Sequence, residues 1–125
     1  MKNTISTSNA PAAIGTYSQA VIHGNTLYIS GQIALVPDTM TLVSENIDEQ
    51  IEQVFDNLSA IAIAADTQLD DAIKFTVYLT DLGDFARVNE VMAARLTEPY
   101  PARVAVEVSA LPKAARVEID AIIAS

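Results

Sequence analysis

A chain of 125 residues, half of them apolar, suits one compact domain over 1–125 with a real buried core, and excludes disorder. A formal net charge of −9 with seven scattered basic residues argues against nucleic acid, which would be approached against long-range repulsion. Cysteine is absent, histidine occurs once, and no stretch approaches the roughly 20 apolar residues of a membrane-spanning helix, so thiol chemistry and a membrane span are excluded and a zinc site is disfavoured. The opening Met1-Lys2-Asn3-Thr4-Ile5-Ser6 has no apolar run resembling a secretory signal, and a cytoplasmic location is expected.

Glycine and proline punctuate the chain. Ala20 to His23 and Leu27 to Ile33 read as two strands joined at Gly24-Asn25, a hairpin turn that leaves His23 solvated at a strand end. Pro37-Asp38 marks a second turn, with room for a short extra strand. Asn46 to Ala65 is the clearest helix, with an apolar stripe from Ile47 through Ile51, Val54, Phe55, Leu58 and Ile61. Asn46 followed by Glu49 three residues later has the capping-box spacing.

Ile73 to Thr80 alternates as a strand with Phe75, Val77 and Leu79 on one face. Asp84 is placed to cap a second helix that runs to about Leu96 and is stopped by Pro99, with Phe85, Val88 and Met92 turned inward. Arg103 to Ser109 and Arg116 to Ala124 complete the strands. The pattern predicts an α+β fold with two helices packed on one face of a mixed six-stranded sheet. Alternation assigns Val104, Val106 and Val108 to the helix side, and Arg103, Glu107, Arg116, Glu118 and Asp120 to the opposite side with Tyr28 and Tyr78. A charged and aromatic sheet face is either solvated or closed by other subunits.

Unusual residues concentrate in Tyr100-Pro101-Ala102-Arg103. An arginine entering a strand straight after a proline corner has the donor fork to grip a carboxylate in two places. Charge patterning alone allows a second reading, an ion pair with Glu107, Glu118 or Asp120. Glu118 is the carboxylate best suited to handle a water or a proton, although it too is open to a salt bridge with Arg116 or Arg103. Tyr17 and Ser18, with Ser30 and Gly31, form a second constellation that can line a pocket. The serines have no histidine partner for a hydrolase triad, and neither common glycine-rich phosphate loop is present.

These segments, in this order, resemble the reactive-intermediate deaminase (Rid, YjgF) family nearly end to end. Asn9-Ala10-Pro11-Ala12-Ala13-Ile14-Gly15-Thr16-Tyr17-Ser18-Gln19 is similar to the family's opening motif, and Ser30-Gly31-Gln32-Ile33 to its second. Thr76-Val77-Tyr78-Leu79-Thr80-Asp81-Leu82 with Phe85 and Val88-Asn89 resembles the central one. Pro101-Ala102-Arg103, Val106-Glu107-Val108, Leu111-Pro112-Lys113 and Val117-Glu118-Ile119 complete the series.

The resemblance implies a chorismate-mutase-like fold that trimerises, its sheets forming a central barrel with sites between subunits. It further implies hydrolysis of 2-aminoacrylate and 2-iminobutyrate, released by pyridoxal-phosphate dehydratases, to 2-keto acids and ammonia, with no metal or cofactor of its own. By the same resemblance Arg103 binds the substrate carboxylate with backbone groups of Gly31 and Ala105. Glu118 activates or orients water near Tyr17, and Ser30 and Asn89 line or support the pocket. Thr16 stands where the family usually has proline, Ala105 where cysteine is frequent, and Val104 where serine is common. The competing readings are a non-catalytic module that binds small carboxylates and an endoribonuclease or translation inhibitor; the charge and the lone histidine weigh against the latter.

Overall fold

The computed structural model describes residues 2–125. Six strands, β1 (Asn3–Ile5), β2 (Ala20–His23), β3 (Thr26–Gln32), β4 (Ala72–Leu79), β5 (Ala102–Glu107) and β6 (Val117–Ala124), form one sheet in the order β1-β2-β3-β6-β4-β5. Every neighbouring pair is antiparallel except β4 with β5, which are joined by a helix and run parallel. The sheet is therefore mixed, and its two helices, α1 (Ile47–Ala64) and α2 (Phe85–Arg95), make this an α+β fold as expected. The extra strand lies at the N-terminus, where β1 pairs with β2; Pro37-Asp38 instead sits in a small hairpin closed by a lone bridge between Leu35 and Leu42.

α1 forms where its stripe predicts. Asn46 Oδ1 accepts from the Glu49 N–H at 3.0 Å, and Ile51, Val54, Phe55, Leu58 and Ile61 are fully buried against Leu27, Phe75, Val77, Ile119 and Ile123. The start of α2 differs from expectation. Asp84 makes no capping bond; Asp81 accepts from the Gly83 N–H, while the Asp84 carboxylate is drawn to Arg116 at 2.9 Å. A guanidinium within reach outcompetes a backbone N–H for that carboxylate.

Parity on β5 is the main correction. Pairing sets Arg103 opposite Phe75, Ala105 opposite Val77 and Glu107 opposite Leu79, all on the helix side, and leaves Val104 and Val106 on the open face beside Thr76 and Tyr78. Val104 and Val106 are 42% and 38% exposed. The cause is that β5 is an edge strand: beyond it there is no core for its valines, and the helix-side space is bridged by long polar side chains from the strand to α2. On β6 the expected parity holds, with Val117, Ile119, Ala121 and Ile123 buried and Glu118 and Asp120 on the open face with Tyr28 and Tyr78. Among the described residues no helix is long and apolar enough to cross a membrane.

Candidate active site

Arg103 leaves β5 toward α2. Its Nη1 donates to Asn89 Oδ1 at 2.8 Å and lies 3.7 Å from Met92 Sδ, and its guanidinium stacks 4.6 Å from the Phe85 ring centroid. Arg87, Arg95 and Arg116 each hold a carboxylate within salt-bridge distance. Among the described residues Arg103 alone of the arginines has none, so ion pairing with Glu107, Glu118 or Asp120 does not explain it. Glu107 accepts instead from the Leu82 N–H at 2.9 Å, tying the turn before α2 to the strand. A groove of about 450 Å³ opens beside Arg103, lined by Asn89, Met92, Tyr100 and Pro101.

The β5 backbone adds donors there. The Val108 N–H points to Leu79 O on β4 at 2.8 Å, and alternation along a strand turns the N–H and C=O of Arg103, Ala105 and Glu107 the other way, onto the unpaired sheet edge. The Ala105 backbone is thus free on the same edge as the guanidinium, and its small side chain packs against the core.

Glu118 lies in a different place. It projects from β6 on the open face into a mainly apolar cleft of about 480 Å³ that includes Ile14, Tyr17, Gly31, Ile33, Met40 and Lys113. Partial burial, with the charge of Asp120 on the same face, raises its pKa above the usual glutamate range. Gly31 makes room for it: a Cβ there would fall 2.9 Å from Cδ of Glu118. Gly31 sits where the β3–β6 register slips between Ile29 and Gln32, so backbone and carboxylate approach closely.

The loop that brings Tyr17 to this cleft is pinned by side chains. Buried Gln19 donates to Thr7 O at 3.0 Å and Pro11 O at 2.8 Å, and accepts from the Thr7 N–H at 2.7 Å. Ser30 Oγ donates to Ser18 O at 2.6 Å, which makes Ser30 a support of the loop. Tyr17 remains 52% exposed, its hydroxyl accepting from the Ile14 N–H at 3.4 Å.

The expected residues therefore fall into two groups: Tyr17, Ser30, Gly31 and Glu118 in one, Asn89, Arg103 and Ala105 in the other. Within one chain the groups do not meet. β4 separates β5 from β6, which puts the strands about 10 Å apart, and Arg103 and Glu118 leave opposite faces of the sheet. Sequence reasoning missed Phe85 as the partner of Arg103, having assigned it to the core. It also missed Met40, Gln50 and Asn57. The signal for the last two was available, since amides on the flank of an apolar helical stripe must find buried partners: Gln50 accepts from the Arg116 N–H and Asn57 donates to Leu35 O.

Two helices on a mixed sheet, with a carboxylate-free arginine on one edge and a carboxyl in an apolar cleft, define an α+β protein with two separate candidate half-sites. The chain belongs to the reactive-intermediate deaminase (Rid, YjgF) family: residues 7–125 match the family model described as endoribonuclease L-PSP. The chain is 58% identical to RidA of an Antarctic Psychrobacter, whose crystal structure superposes with a TM-score of 0.95 over 98% of this chain and 99% of that one. It is 45% identical to the 2-iminobutanoate/2-iminopropanoate deaminase of Rattus norvegicus, over 98% of this chain and 89% of the relative. Escherichia coli TdcF, solved with bound serine, is 39% identical, with a TM-score of 0.90 and 98% of each chain covered.

Proposed function

We propose that this protein hydrolyses small 2-imino acids and their enamine tautomers, such as 2-iminobutyrate and 2-aminoacrylate, to 2-keto acids and ammonia, as a cytosolic homotrimer whose sites lie between subunits. The observation that carries the reading is the split site. A pre-oriented arginine without a carboxylate and a carboxyl of raised pKa each form half of a site, on opposite faces of the same sheet. A neighbouring subunit whose β5 edge meets the Glu118 cleft completes both halves. The open face supports such packing, since Tyr28, Val104 and Val106 expose apolar surface there and small open sheets rarely leave such a face uncovered.

In the completed site the substrate carboxylate receives the Arg103 fork and the Ala105 backbone N–H, with Asn89 and Phe85 holding the guanidinium in place. The imine carbon then lies toward Glu118 of the adjoining chain. Glu118 takes a proton from water as the water oxygen bonds to that carbon and passes it to nitrogen, giving the carbinolamine; it then takes the hydroxyl proton and delivers it to nitrogen as the C–N bond breaks, so that ammonia leaves and the ketone forms. For 2-aminoacrylate, a proton gained at the terminal carbon and one lost from nitrogen first give the imine. An imine is already electrophilic, so positioning of water and carboxylate supplies most of what the reaction needs without a metal or cofactor.

The test couples the protein to a threonine or serine dehydratase, with semicarbazide competing for the imine. Keto-acid release should quicken with the wild type and not with Arg103→Ala. No acceleration by folded protein with either dehydratase would overturn the hydrolytic reading. A ribonuclease reading gains nothing from the structure: His23 is exposed at the end of β2, paired with Thr26 at the turn end of the hairpin and so at the opposite end of β3 from Ser30 and Gly31, and the net charge is −9.

A further inference from the structure

Between β3 and α1 the small hairpin closed by Leu35 and Leu42 has Met40 near its tip. The Met40 N–H donates to Val36 O at 2.8 Å and the Val36 N–H to Thr41 O at 2.9 Å, a closure that puts Met40 in the left-handed region at φ 57°. That region suits glycine or asparagine, and a long side chain there is strained unless its surroundings hold it. They do: the buried amide of Asn57 donates to Ile33 O at 3.3 Å and Leu35 O at 3.0 Å, fixing the hairpin to α1. The Met40 side chain lines the Glu118 cleft.

The size and lining of that cleft bear on what it accepts. About 480 Å³ lies in the range of pockets that hold drug-sized ligands, well beyond a three- or four-carbon acid. With the substrate's carboxylate at Arg103 and its reacting carbon near Glu118, the side chain is left to Ile14, Ile33, Leu35 and Met40, which are all apolar. We infer that Met40 determines which side chains the site accepts, its thioether closing the apolar wall around branched or thioether side chains of the leucine or methionine type. An unbranched, polarisable side chain is suited to adapt to several such shapes. This inference rests on the proposed orientation of a 2-imino acid in the completed site.

The experiment is a calorimetric titration of 2-oxobutanoate and 4-methyl-2-oxopentanoate, product analogues of short and branched substrates, into wild type, Met40→Gly and Met40→Leu. The wild type should bind the branched acid about tenfold more tightly, the scale of one or two methylene groups in a well-formed apolar pocket. Met40→Gly should bring the two acids to within about threefold and melt at the same temperature or higher, because glycine relaxes at φ 57°. Met40→Leu should keep most of the selectivity. Absence of selectivity in the wild type, or full selectivity in Met40→Gly, overturns the inference. The same proteins are then given imines generated by an amino-acid oxidase from alanine and from leucine. Selective binding without turnover supports the role of Met40 and overturns hydrolysis; turnover without any side-chain preference does the reverse.

Discussion

The two halves of the candidate site are built by opposite strategies. The Arg103 half is polar, exposed and on a sheet edge, and is kept in shape by contacts to a single helix: Asn89 at the guanidinium, Phe85 beneath it, and Glu107 tying the turn before α2 to β5. The Glu118 half is apolar and recessed, and is kept in shape by amides that bind backbone from inside the core, Gln19 for the Tyr17 loop and Asn57 for the Met40 hairpin. The difference follows from what each half must hold. A permanent cation tolerates solvent and needs only orientation, whereas a carboxyl with a raised pKa needs surroundings that exclude water.

If the halves work together, the largest effect comes from removing the cation. Arg103→Ala should lower kcat/KM for imine hydrolysis by at least about a hundredfold, the scale of losing one partner of a desolvated charge pair. Glu118→Gln should follow closely, at about a hundredfold in kcat with a smaller change in KM, as expected for a group that moves a proton. This variant also separates function from stability. Glu118 has a raised folded-state pKa, so the folded chain binds more protons than the unfolded chain between the ordinary and raised values. Its contribution to stability is therefore lost as pH rises through that window. At neutral pH, Glu118→Gln should melt slightly higher than the wild type while being nearly inactive; a lower melting temperature would mean the carboxylate stabilises the fold. Mixing subunits tests whether the halves belong to different chains. Arg103→Ala and Glu118→Gln proteins, unfolded and refolded together in equal amounts, should regain about a quarter of wild-type activity, because random assembly pairs an intact arginine with an intact glutamate at one interface in four. No recovery from a refolded mixed oligomer would place both halves in one chain.

Much of this was legible in the residues because local rules decided it. The stripe of α1, the Asn46 cap, the Gly24 turn and the parity of β6 each follow from a period or a capping rule, and each appears where expected. The parity of β5 was not legible. Alternation gives two faces without saying which is inner, and valines normally mark the inner one; here β5 is the edge strand, Arg103 meets α2 and Glu107 meets the turn before it. The same reversal hid the placement of the two residues on opposite faces, although the resemblance implied sites between subunits. With Arg103 and Glu118 assigned to one face they read as neighbours, whereas strand order and register place them on opposite sides of the sheet. The residue pattern picked out the two residues and the resemblance implied sites between subunits; strand order and register add the geometric reason, that the two side chains leave opposite faces of one sheet.

The smallest expected effect is the most specific to the Glu118 half. Glu118 and Asp120 are two positions apart on β6 and share the open face, where the Tyr78 hydroxyl donates to Asp120 Oδ2 at 3.1 Å. Burial is the larger cause of the raised Glu118 pKa and the Asp120 charge the smaller. If ionised Glu118 accepts the proton from water, kcat/KM should rise with pH along an acid limb lying above the usual glutamate range. Asp120→Asn keeps a partner for Tyr78 while removing the charge, so the limb should move to lower pH yet stay above that range, because burial remains. The Tyr78 pKa, raised first by burial and then by the charge and hydrogen bond of Asp120, should fall in the same variant. A Tyr78 response without movement of the kinetic limb would show that the charge was removed as intended and that a group other than Glu118 governs the rate.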